Sequence, residues 1–315
     1  MNEIKISRII LELTNRCFLN CQGCKVRGEQ ELSLRDIKKV MEFAKTAVKG
    51  YLNITLSGRE PLLHSNFPGV LDILKDQGCN YITLGTNGFL LNEKHIEKLR
   101  EFEQAVVIFM LDSLKGATSV KTKSSLLDLL EMRIKNISCM VKMIAGSEGD
   151  IPIMSEVLKM ARNNGCDGVI FSTQIPDWPL SKTYKDFYKH WLDQVAILQN
   201  QYLRSKTFLV LTPDPLARVK CPAQNFPCPI GKSFTVMPEG KIIPCGSFRM
   251  EVGDIARRGF SFETFANNSV IQTLTSGILK GKCLQCLYKE LCGGGCFARS
   301  ALTGNDLNPD PACPY

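Results

Sequence analysis

Between Ile9 and about Thr173, short apolar runs alternate with amphipathic stretches, and this alternation limits the fold more than any other feature of the 315 residues. Candidate strands are Ile9–Leu13, Leu52–Leu56, Tyr81–Thr86, Ala105–Leu111, Asn136–Ile144 and Gly168–Ser172. Candidate helices between them are Ser33–Val48, Asn66–Asp76, Asn92–Glu101, Ser124–Arg133 and Ile151–Asn164. In the first helix Leu34, Ile37, Val40, Met41 and Ala44 recur with the helical period, and Ser33 can accept an orphan N–H as N-cap. Gly78 and Gly165 fall where helices should stop. Six strands alternating with helices predict an α/β fold with a parallel sheet and right-handed crossovers. An open sheet and a curled partial barrel give the same pattern.

Pro176–Pro179 reads as a linker and Tyr184–Tyr202 as a further helix. Beyond Leu211 proline and glycine become frequent and strands shorten, at Phe234–Met237 and Lys241–Ile243. The expected boundary lies near residue 206, with a barrel-type domain over 1–205 and a small cysteine-rich domain over 206–315. A region so poor in long apolar elements has a small core and would gain stability from metal ligation.

Composition excludes several classes. Hydrophobic residues at 44% and charged residues at 22% fit an ordinary globular protein. The net charge of +8 comes without a dense Lys/Arg run, so no nucleic-acid arm is expected. The longest apolar run, Ala105–Leu111, is too short for a membrane span. Met1–Leu13 carries Glu3 and Glu12 and lacks the apolar core of a signal peptide. A cytoplasmic location follows as the expectation, and there thiols stay reduced.

In that setting the fourteen cysteines point to metal rather than to disulfides. Cys17, Cys21 and Cys24 form a C-x3-C-x2-C motif directly after the first strand. Three thiolates on one loop can hold three irons of a [4Fe–4S] cubane and leave the fourth open; an open position marks a catalytic rather than a structural site. A zinc site with a distant fourth ligand is the competing interpretation, and the chain offers it only His64, His95 and His190 as histidine partners. Cys221, Cys228, Cys245, Cys283, Cys286, Cys292, Cys296 and Cys313 fill the last third. Cys79, Cys139 and Cys166 stand alone, and Cys79 and Cys166 are expected to be small buried apolar residues.

The triad resembles the hallmark of radical S-adenosylmethionine (radical SAM) enzymes, whose cysteines sit at the mouth of a partial β/α barrel. The resemblance implies that S-adenosylmethionine chelates the open iron and yields a 5′-deoxyadenosyl radical that removes a hydrogen atom from substrate. Ser57-Gly58-Arg59-Glu60-Pro61 looks like the family's GGEP segment, implying contacts from Ser57, Gly58 and Glu60 to the ammonium of the cofactor. Thr86-Asn87-Gly88 resembles the TNG segment, and Asp112 stands where a polar ribose contact is common. All fall at strand C-termini, the active face of β/α barrels. Two positions depart from the pattern: Gly23 replaces the usual aromatic before the third cysteine, and Arg59 interrupts the glycine pair.

The C-terminal cysteines are similar to the SPASM extension of this family. Cys228 is followed by Gly240 and Cys245, and then by C-x2-C-x5-C-x3-C from Cys283 to Cys296 and by Cys313. The resemblance implies two auxiliary [4Fe–4S] clusters, three in all. One would use Cys221, Cys228, Cys245 and Cys296, the other Cys283, Cys286, Cys292 and Cys313. Two structural zinc sites are the alternative. Cys221 could instead be a thiol that returns a hydrogen atom to a substrate radical, with Cys139 as a rival. Gly246 follows Cys245 where sulfatase-oxidising members carry an aspartate base, which argues against that activity; Asp214 or Asp112 could substitute.

The resemblance implies a peptide-modifying enzyme that matures a ribosomally made precursor peptide by epimerisation or by thioether or carbon–carbon cross-linking. An electron donor such as flavodoxin or ferredoxin is implied. The first strand begins within ten residues of the N-terminus, so leader recognition is expected from a separate leader-peptide-binding protein or from the barrel rim. A sugar or aminocyclitol dehydrogenase or epimerase is the second expectation, and a zinc scaffold the third.

Overall fold

The computed structural model describes residues 6–19, 21, 24, 28–111, 136–175, 179–222, 228, 230–257, 260–276, 279–304 and 309–315. The expected helix at Ser124–Arg133 and Asp112 lie outside them, as do Gly23 and most of the expected linker. Two compact units divide the chain. The first comprises Met1–Met110, Val120–Cys139 and Ile230–Thr275; the second comprises Leu111–Ser119, Met140–Pro229 and Ser276–Tyr315.

In the first unit β1 (Ile6–Glu12), β2 (Val48–Ser57), β3 (Tyr81–Thr86) and β4 (Gln104–Leu111) run parallel in that order. The helix Leu34–Ala47 follows β1 and buries Ile37, Val40, Met41, Phe43, Ala44 and Ala47, the face its periodicity marks. Ser33 Oγ accepts from Asp36 N–H at 3.1 Å, the expected cap. The helices Phe67–Asp76 and Glu93–Arg100 follow β2 and β3, each opened by an asparagine cap. On the other side of β1 lie β8 (Ser233–Val236), parallel to it, and then antiparallel β9 (Lys241–Ile243) and β10 (Gly253–Asp254). The short strands read from the cysteine-rich region thus extend the sheet beside β1. Their docking is apolar: Phe43 meets Phe234 edge-on at 5.4 Å between centroids and stacks on Phe260 at 5.1 Å.

In the second unit the last six residues of β5 (Ile137–Ala145) pair in parallel with β6 (Gly168–Thr173), which pairs with β7 (Leu209–Leu211). The helices Ile151–Asn163 and Lys182–Gln201 follow β5 and β6. The segment 281–301 has only short helices, Gly281–Gln285, Lys289–Cys292 and Phe297–Ala301. Among the described residues no helix is long and apolar enough to cross a membrane.

Candidate functional site

The triad loop is drawn shut at its base. Thr14 and Glu31 form an isolated antiparallel bridge. Asn15 N–H donates to Gln30 O at 3.0 Å and Leu32 N–H to Leu13 O at 2.9 Å. Arg16 pairs with Glu31, whose carboxylate also accepts from Ser65 N–H at 2.9 Å. His64 sits beneath this neck: Nε2 donates to Leu32 O at 2.8 Å, and Nδ1 accepts from Asn66 N–H at 3.2 Å. Those partners fix the neutral tautomer, and burial pulls the imidazole pKa down.

Cys17, Cys21 and Cys24 are each half-buried on this loop. Leu19 N–H donates to Cys17 Sγ at 3.3 Å, and Cys24 N–H to Cys21 O at 3.3 Å. Among the described residues, no three His, Cys, Asp or Glu side chains close to the distances of a single bound ion. A four-iron cubane asks for something wider, because each ligand sulfur sits on its own iron.

The segment after β2 lies against the neck. Leu13 N–H donates to Ser57 O at 2.9 Å, Arg59 N–H to Thr14 O at 3.0 Å, and Glu60 N–H to Arg16 O at 3.2 Å. Gly58 has φ +118°, and a Cβ there would sit 2.7 Å from Thr14 O, so only glycine fits. Arg59, the departure from the family pattern, sends Nη2 to Leu19 O at 3.1 Å and so ties down the cysteine loop.

Glu60 is fully buried. Its Oε1 accepts from Thr86 Oγ1 at 2.8 Å and Leu62 N–H at 3.1 Å, and its Oε2 from Asn87 N–H at 2.9 Å. Burial pushes this carboxyl's pKa up, against the pull of the three donors. The residue expected at the cofactor's ammonium therefore joins the segment after β2 to the one after β3. Asn87 Oδ1 accepts from Phe89 N–H at 2.9 Å, while its Nδ2 is buried without a partner. An orphaned donor and three thiols on one closed loop fit an S-adenosylmethionine-bound [4Fe–4S] cluster.

In the second unit Cys283 and Cys292 each lie within electrostatic reach of Cys286 and Cys313. Burial first, then Cys292, Cys313 and Cys286, push the Cys283 thiol up. Burial likewise raises Cys292, with Cys313 and Cys286 adding to it. These are the four cysteines expected to serve one auxiliary cluster. Of the other set, Cys221, Cys228 and Cys296 belong to the second unit, and Cys245 follows β9 in the first. Burial pushes the Cys296 thiol up to about 11.

Two other expected residues are deeply placed. Cys139 shares the fully buried face of β5 with Val141 and Met143, not the half-buried one that carries Ser138 and Lys142. Asp214 is buried, its carboxylate engaged by Tyr188 O–H at 2.8 Å and Arg299 Nη1 at 2.9 Å. Gly246 lies near Glu12, which holds Arg249 through two contacts of 3.1 and 3.0 Å. Sequence reasoning passed over Arg299, Asp310 and Tyr188; an arginine and an aspartate in a short cysteine-rich stretch look like solvated charges until their burial is seen.

The model of the radical SAM superfamily matches residues 11–179. The chain belongs to that superfamily. Radical SAM membership brings S-adenosylmethionine and a [4Fe–4S] cluster as cofactors, and the mixed α/β sheet is the radical SAM fold. Several curated relatives align over nearly the whole chain. The PqqA peptide cyclase of Gluconobacter oxydans is 26% identical, covering 98% of this chain and 91% of its own. The AdoMet-dependent heme synthase of Methanosarcina barkeri is 26% identical, covering 98% and 96%. The 7,8-dihydro-6-hydroxymethylpterin dimethyltransferase of Methanocaldococcus jannaschii is 30% identical over 110 residues, 33% of this chain and only 22% of that protein. Among solved structures, Streptococcus suis SuiB bound to precursor peptide SuiA superposes with a TM-score of 0.74 at 15% identity, covering 99% of this chain and 76% of that one.

Proposed function

We propose that this radical SAM enzyme is of the SPASM type and modifies a ribosomally made peptide, by epimerisation or by thioether or carbon–carbon cross-linking. The observation that carries the reading is the near full-length match to a peptide cyclase, which takes in the C-terminal cysteine region as well as the barrel. The likeness to a structure solved with its precursor peptide agrees with it.

Cys17, Cys21 and Cys24 would hold the catalytic cluster, and Asn87 Nδ2 would offer S-adenosylmethionine a hydrogen-bond donor. When bound, cluster and cofactor supply a radical able to take an unactivated hydrogen atom from substrate. Around them Arg59 holds the loop, and Glu60 fixes Thr86 and Asn87 relative to it. Eight C-terminal thiols would complete two auxiliary clusters. Cys221 is a ligand or, as an alternative, a hydrogen donor. Asp214, bound to an arginine and a tyrosine, serves structure more readily than proton abstraction. Electrons would come from a flavodoxin or ferredoxin, and a leader-binding protein could present the peptide.

The heme synthase relative, matched as fully, favours a small-molecule substrate as the second reading. Incubating reduced enzyme and S-adenosylmethionine with peptides encoded by neighbouring short reading frames decides between them. Product two hydrogens lighter marks cross-linking, and one solvent deuterium retained marks epimerisation. Unchanged peptides alongside turnover of a tetrapyrrole or sugar would overturn the peptide reading.

A further inference from the structure

Arg299 is buried, its side chain 1% exposed, yet it carries a full charge between two carboxylates. Nη1 donates to Asp214 Oδ2 at 2.9 Å and Nη2 to Asp310 Oδ2 at 2.7 Å. Nε reaches both Asp310 oxygens at 3.0 Å. Nη2 also donates to the Tyr188 oxygen at 2.7 Å, and the guanidinium lies 4.4 Å from that ring's centroid.

Each carboxylate reaches onward to backbone that bears a cysteine. Asp310 Oδ2 accepts Cys296 N–H at 2.8 Å, and Oδ1 accepts Ala312 N–H at 3.0 Å. The Asp310 carbonyl accepts Cys313 N–H at 3.0 Å. Asp214 Oδ1 accepts Leu216 N–H at 3.0 Å and opens the turn Pro215–Val219. From that turn the Ala217 carbonyl accepts Cys221 N–H at 3.0 Å, and Arg218 Nη1 donates to Leu291 O at 2.5 Å, one residue before Cys292. Gly295, at φ +88°, lets Asp310 approach: a Cβ there would lie 2.4 Å from Asp310 Cβ.

A buried ionic cluster is a poor source of stability compared with an apolar core of the same volume, because desolvation offsets the attraction. What this one supplies is geometry, with one cation spanning three cysteine-bearing segments. We propose that Arg299 is a positioning residue for both auxiliary clusters, acting through Asp214 and Asp310 on the backbone of Cys221, Cys296 and Cys313. It rests on the proposed assignment of Cys221 and Cys296 to one cluster and Cys313 to the other. The two centres are thereby coupled, and disturbing one arginine disturbs both.

The test uses the full chain with Cys17, Cys21 and Cys24 all changed to Ala, which leaves only the auxiliary sites. Reconstituted without air it should bind about eight irons, four per cubane. Arg299→Lys keeps the charge but not the two-sided fork, and Asp310→Asn keeps the shape but not the charge. Each is expected to lower bound iron at least twofold and to alter the electron paramagnetic resonance signals of both reduced centres. Eight irons with both signals unchanged in the two variants, or a change confined to one centre, overturns the proposal. If the triple-alanine parent binds no iron, it is the auxiliary-cluster assignment that fails. Should Arg299→Lys not fold, the isosteric Asp310→Asn decides.

Discussion

Glu60 shows how one buried carboxylate can organise a site. Its three acceptor contacts tie Leu62, Thr86 and Asn87 together, and Asn87 Nδ2 stays unpartnered. Glu60→Gln keeps the volume but turns one acceptor into a donor facing a donor. The segments that carry Leu62, Thr86 and Asn87 then lose their common tie, and S-adenosylmethionine affinity should fall roughly tenfold, about 1.4 kcal/mol. Isothermal titration of the reconstituted enzyme checks this; an unchanged dissociation constant contradicts the role given to Glu60. Cys79 illustrates the opposite use of a reactive group. Burial pushes its thiol up to about 11, so at pH 8 only about a thousandth is thiolate. Iodoacetamide should leave Cys79 unmodified in the native chain and label it in urea. Labelling at the unfolded rate would contradict that burial.

At the scale of elements, the loop neck ties the segment after β2 to the cysteine loop. Gly58→Ala forces a left-handed backbone on a residue whose Cβ would meet Thr14 O, a strain of about 1–3 kcal/mol before any clash. The urea midpoint should fall accordingly, and the catalytic loop should retain less iron; wild-type values for both would refute the packing described here. His64 adds a pH dependence. Its folded pKa lies below the ordinary 6.5, so the unfolded chain binds protons first on acidification. The stabilisation is fully present above about 6.5 and declines as pH falls through that value towards the lower folded one. His64→Gln should flatten the stability profile between about pH 7 and pH 5. An equally steep profile in the variant would assign the slope to other groups. Most of these elements were legible in the sequence, because helix caps and periodicity act locally: Ser33 caps where expected, and β3 keeps its bounds. The Arg59 contact to Leu19 was not, because it joins residues 40 apart through a carbonyl that any residue could supply.

For the whole molecule, the radical SAM family was legible in three short motifs because cluster chemistry leaves narrow freedom in ligand type and spacing. The placement of Ser233–Val236 beside β1 was not, since a strand of four residues gives no sign of its partner. Nor was the ionic cluster around Arg299, whose members are 85 and 11 residues apart in sequence and meet only in the fold. The peptide substrate rests on relatives, whereas the catalytic centre rests on this chain's own loop, and that centre admits a direct spectroscopic test. Air-free reconstituted protein, reduced and frozen with and without S-adenosylmethionine, should show a [4Fe–4S] resonance that shifts when the cofactor is added. Cys17→Ala should lose that responsive signal. A spectrum indifferent to S-adenosylmethionine, or one that Cys17→Ala leaves intact, would contradict the account at its centre.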